Sequence, residues 1–73
     1  MTNAGFTITS FIRTYNGGDF SEGIALGEKA GSFGMEYVTW AYTKRGETVD
    51  FYWGHYFTDE HTAQDDMIDR ARR

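Results

Sequence analysis

The chain has 73 residues, no Cys, 11 acidic against 7 basic side chains and a net charge of −4. That length is one domain, folded without a disulfide or a thiolate metal site. The acidic balance argues against a general phosphate-binding surface, which needs clustered Lys and Arg.

Aromatic residues make up 18% of the chain. Each can remove roughly 150–250 Å² from water, which is how so small a domain stabilises itself without staples. No apolar run approaches the roughly 20 residues of a membrane span. The N-terminal Met1–Gly5 stretch has no basic region followed by an apolar one, so we expect a whole small cytoplasmic protein with no secretory leader.

Residues 5–15 read as a strand. Phe6, Ile8 and Ile12 share one parity; Thr7, Thr9, Phe11, Arg13 and Tyr15 share the other. Asn16-Gly17-Gly18 breaks it. Asp19 then suits an N-cap, with Glu22 as its capping-box partner, and predicts a helix over about 20–30 ended by Gly31. Gly23, Gly27 and Gly31 recur every four residues. Each interior Gly costs a helix about 1 kcal/mol against Ala, so we expect close approach to a bulky neighbour such as a Trp to offset it.

Residues 35–43 and 47–57 read as a hairpin with Gly46 in the turn. In the second arm Val49, Phe51, Trp53, His55 and Phe57 alternate with Asp50, Tyr52, Gly54 and Tyr56. Gly54 is a candidate bulge, which would flip the parity after it. Thr58 or Asp59 opens a C-terminal helix carrying Ala63, Met67, Ile68 and Ala71 and ending in basic residues, as the helix dipole favours. Asp66–Arg70 and Asp69–Arg73 are possible i,i+4 pairs.

The predicted order is therefore β-α-β-β-α. It implies a single α+β domain over 1–73, with a three-stranded, largely antiparallel sheet and two helices on one face. The expected core face holds Phe, Ile, Val and Trp. The expected open face gathers Tyr15, Tyr37, Tyr52 and Tyr56, with Phe11, Arg13 and Asp50 nearby. Tyrosine offers a rigid apolar body with a hydroxyl, which suits a protein interface. The bland alternative is cross-strand Tyr–Thr packing with nothing bound.

Other chemistries find less support. Aromatics on a sheet also serve as stacking platforms for single-stranded nucleic acid, but here Arg13, Lys44 and Arg45 are offset by Glu36, Glu47 and Asp50. His55 and His61 with Asp59, Glu60 and Asp65 lack a third metal ligand at a fixed spacing, so no metal and no cofactor is expected. Ser10, Ser21 and Ser32 have no nucleophile-elbow context, and no Gly-Lys-Ser/Thr phosphate loop occurs, so no enzyme is expected.

The run Tyr37-Val38-Thr39-Trp40-Ala41-Tyr42, then Tyr52-Trp53-Gly54-His55-Tyr56-Phe57 and an acidic helix ending in Arg, resembles small accessory proteins of bacterial phages and integrative elements. The likeness covers roughly the last forty residues and carries no catalytic motif. It implies a cytosolic accessory protein that acts by binding, as inhibitors of CRISPR and restriction systems do. The function expected is thus non-enzymatic binding to a protein partner, with a nucleic-acid module or a homodimeric structural protein as the alternatives.

Overall fold

A computed structural model describes residues 1–73. Five strands run in order: β1 (Thr2–Asn3), β2 (Phe6–Gly17), β3 (Phe20–Gly31), β4 (Gly34–Arg45) and β5 (Thr48–Phe57). One helix, α1 (Glu60–Ala71), follows. The strands form a single antiparallel meander with neighbours in chain order. The expected three-stranded sheet under two helices is therefore incorrect. The segment read as a first helix is β3, and it lies at the centre of the sheet.

The physical reason lies in what faces the glycines. Cross-strand partners put Gly23 opposite Tyr42 and Gly27 opposite Val38. A Cβ on Gly27 would sit 3.3 Å from the Trp40 ring and 3.1 Å from Phe6 Cβ. One on Gly23 would sit 2.8 Å from the Tyr42 ring and would run into the Ile12 carbonyl oxygen. Close approach to bulky neighbours does explain the spacing, but across strands. Residues 23, 25, 27, 29 and 31 are one face of a strand, and the small ones clear space for the rings of β4. Asp19 caps nothing; it lies in the β2–β3 turn, where its carbonyl accepts from Gly46 N at 2.9 Å and ties two turns together. Gly18 and Gly46 take the positive φ these tight turns need (72° and 60°).

The sheet curls. Phe6 on β2 and Tyr56 on β5 have ring centroids 6.2 Å apart, although two strands lie between them. Three strand spacings in a flat sheet would span about 14 Å. The inside of the curl packs Phe6, Val38 and Trp40, all buried, against Ile8 and Phe51. The sheet thus covers this face by rolling over its own aromatics. The opposite face holds Ile24, Leu26 and Ala41, which pack under Ala63 and Met67 of α1.

The C-terminal elements match their reading from sequence. Asp59 is the N-cap, accepting from Thr62 N at 2.9 Å and Thr62 Oγ1 at 2.8 Å. The bulge at Gly54 is also present: Thr39 pairs with His55 and Ala41 with Tyr52, so Trp40 faces both Trp53 and Gly54. No helix is long and apolar enough to cross a membrane.

Candidate functional site

The seven residues expected on one open face are divided between two. Phe11, Arg13 and Tyr56 lie on the inner side of the curl, in register with Ala25, Gly23 and Val38. Tyr15, Tyr37, Asp50 and Tyr52 lie on the helix side, in register with Glu22, Glu28, Thr43 and Ala41. A single tyrosine face does not exist. Register shifts between Ile8 and Ser10, between Arg13 and Tyr15, and opposite Trp40 each invert the alternation that the expectation relied on. Tyr37 and Tyr52 are partly buried against the helix-side core, while Tyr15 and Tyr56 stay exposed.

Two clefts lie instead at opposite ends of the sheet. One, of about 650 Å³, is lined by Phe11, Arg13, Tyr42 and Lys44, with Asp19 and Glu47 at its edge. Phe11 and Tyr42 stack edge to face at 5.1 Å. The other, of about 830 Å³, lies where the β3–β4 turn meets the end of β5 and the start of α1. Phe33, Met35, Tyr37, Tyr56 and Phe57 give it apolar walls, and Glu36, Asp59 and Thr62 its polar ones. Phe33 stands in the turn with its whole side chain in solvent. Met35 and Tyr56 are also exposed.

This second cleft is electronegative. Burial and then the charges of Glu60, Glu28 and Asp59 push the Tyr37 phenol above its ordinary value. Asp59 itself is held below the usual carboxylate range, chiefly by the Thr62 backbone N–H and then by the Thr62 hydroxyl. It therefore stays ionised at neutral pH.

A polar cluster joins α1 to the sheet beside β5. Asp66 Oδ2 accepts from Thr39 Oγ1 at 2.6 Å and from His55 Nδ1 at 3.0 Å. Arg70 donates to Thr39 O and Oγ1, both at 3.0 Å, and to Trp53 O at 2.8 Å. The expected Asp66–Arg70 pair is replaced by this shared hold on Thr39. Partial burial raises the Asp66 pKa, but the hydrogen bonds from Thr39 and His55, with the charges of His55 and Arg70, outweigh it and leave the pKa lowered. The hydroxyl on this His–Asp pair is Thr39, fully buried and bonded to the carboxylate rather than the imidazole. Its chemistry is that of a clamp.

That clamp fixes an unusual residue. Trp53 has φ 55° and a 75% exposed side chain. Positive φ in a bulky residue costs roughly 1–2 kcal/mol. Arg70 holds the strained carbonyl, and the Tyr52 ring packs edge-on at 4.9 Å.

No three His, Asp or Glu side chains gather into a candidate metal site. Sequence reading passed over Phe33, Met35 and Trp53. Phe33 was detectable as a ring between Ser32 and Gly34, in a turn too short to bury it; Trp53 was detectable as the residue that the Gly54 bulge redirects. Comparisons with protein-family models, curated proteins and solved structures give no match for this chain.

Proposed function

We propose that the chain is a non-enzymatic protein-binding module whose contact surface is the cleft between the β3–β4 turn and the start of α1. The observation behind this reading is that Phe33, Met35 and Tyr56, three large apolar side chains left in solvent, line the same concavity. Exposed apolar side chains scattered singly need no explanation, whereas several on one cleft mark a contact site. The setting we propose is the cytoplasm, in an accessory protein of a mobile element that occupies a surface of a host defence complex. Its acidic charge and exposed aromatics support that setting.

The test is affinity capture from host lysate, with nuclease present, using wild type and a Phe33→Ala/Tyr56→Ala double variant. A protein retained by wild type and lost from a folded double variant supports the reading. Equal retention by both sinks it.

A second reading follows from the other cleft, where Phe11 and Tyr42 stand beside Arg13 and Lys44. Rings beside cations suit single-stranded nucleic acid, though Asp19 and Glu47 cancel those charges locally. A gel shift that weakens steeply with salt and disappears in Arg13→Ala would favour it.

A further inference from the structure

The Phe33–Tyr56 cleft combines three properties. Its walls are aromatic: Phe33, Tyr37, Tyr56 and Phe57. Its rim is acidic, with Glu36 and Asp59 in the lining and Glu28 and Glu60 close enough to act on the Tyr37 phenol. No Lys or Arg lines it, and Lys29, the cross-strand partner of Glu36, lies over the Phe6 ring at 4.7 Å. Asp59 is committed to capping α1. Glu36 has no ion-pair partner, and its carboxylate rests against Gly31, where any side chain would displace it. Gly31 and Gly34 face each other across the turn and leave this end of the hairpin open.

Aromatic faces attract cations through the ring quadrupole, and most strongly where water is excluded. Carboxylates at the rim reinforce that attraction and steer a positive partner inward. The same charge argues against the other occupants. A second copy would bring the same carboxylates to an isologous contact, and a phosphate backbone would meet like charge.

We propose, building on the protein-binding reading above, that this cleft receives an arginine- or lysine-bearing segment of the partner protein, its cationic group seated against the aromatic walls at the acidic rim. The apolar stem of such a side chain lies along Met35 and Phe57 while its head meets the rim.

The experiment uses three short blocked peptides, identical except that each carries a pair of Arg, Gln or Glu residues beside one Trp. Each is titrated into the isotopically labelled full chain, and backbone amide shifts are followed. The expected result is that the Arg peptide binds roughly tenfold more tightly than the Gln peptide and the Glu peptide more weakly still. Its shifts should centre on Glu36, Tyr37, Phe57 and Thr58. Glu36→Gln should reduce the Arg preference to about threefold, and raised salt should reduce it further. Equal binding of the Arg and Gln peptides at the cleft would overturn the cation assignment and leave an apolar protein-binding site standing. Absence of shifts at the cleft with the Arg peptide, or shifts centred on Phe11 and Tyr42, would also overturn it. The lysate capture then decides separately whether the cleft binds protein at all.

Discussion

Gly23→Ala separates the strand seen here from the helix that its sequence suggests, because the two give opposite signs. In a helix interior the substitution would stabilise the chain by about 1 kcal/mol. In β3 the new methyl enters space held by the Ile12 carbonyl and lies 2.8 Å from the Tyr42 ring. A backbone carbonyl cannot swing aside as a side chain does, so the β2–β3 pairing must shift. Overpacking of this kind costs roughly 1–3 kcal/mol. The better strand propensity of Ala recovers only about 0.5–1 kcal/mol. The net expectation is a loss of up to about 2.5 kcal/mol, centred near 1, and each 1 kcal/mol at this size lowers Tm by roughly 4–8 °C. Urea unfolding followed by tryptophan fluorescence measures it, with the midpoint falling by about 1 M at an unchanged slope. Gly27→Ala should cost less, because Phe6, Trp40 and Val38 meet its methyl with side-chain atoms only, at 3.1–3.3 Å. A Gly23→Ala protein more stable than wild type by about 1 kcal/mol, as a helix would give, would refute the account of β3.

The Asp66 clamp predicts a pH dependence. A carboxylate whose folded pKa is depressed contributes stability that is fully present above its unfolded value, near 4, and is lost as pH falls through the folded value. Wild type should therefore lose more stability than Asp66→Asn between pH 6 and pH 3 in urea titrations; parallel losses would remove Asp66 from the explanation. Thr39→Val leaves the partly buried carboxylate and Arg70 short of a partner, and should cost about 1–3 kcal/mol in the same assay. Trp53→Gly relieves a strained φ but removes the ring contact with Tyr52, two effects of about 1 kcal/mol each. Its urea midpoint should therefore stay close to that of wild type, and a large loss would show that Trp53 supports the fold.

The sequence carried the later elements well because their signals are local. The Asp59 cap, the basic end of α1, the hairpin around Gly46 and the bulge at Gly54 each follow from a few neighbouring residues. β3 was hidden because its alternation sets Phe20, Glu22, Ile24, Leu26 and Glu28 against Ser21, Gly23, Ala25, Gly27 and Lys29. Gly23, Ala25 and Gly27 of the second set are small because their space belongs to rings from β2 and β4, and that information sits on other strands. Asp19, Glu22 and Gly31 then imitated a helix start and stop.

The supposed tyrosine face failed for a related reason. Parity counts hold only between bulges, and two of the three register shifts fall in β2, where no glycine marks them. The cleft at Phe33 was illegible as a whole because it forms between a turn, a strand end and a helix start brought together by the β4–β5 pairing and the turn into α1.

The central claim is that a protein docks on that cleft. The direct measurement is photo-crosslinking in the cell of origin, with p-benzoylphenylalanine installed in place of Phe33 and, as a control, in place of Ile68, which is exposed on α1. The account predicts a discrete crosslinked protein from position 33 and none from position 68. The same product from both positions, or none from position 33, would contradict it.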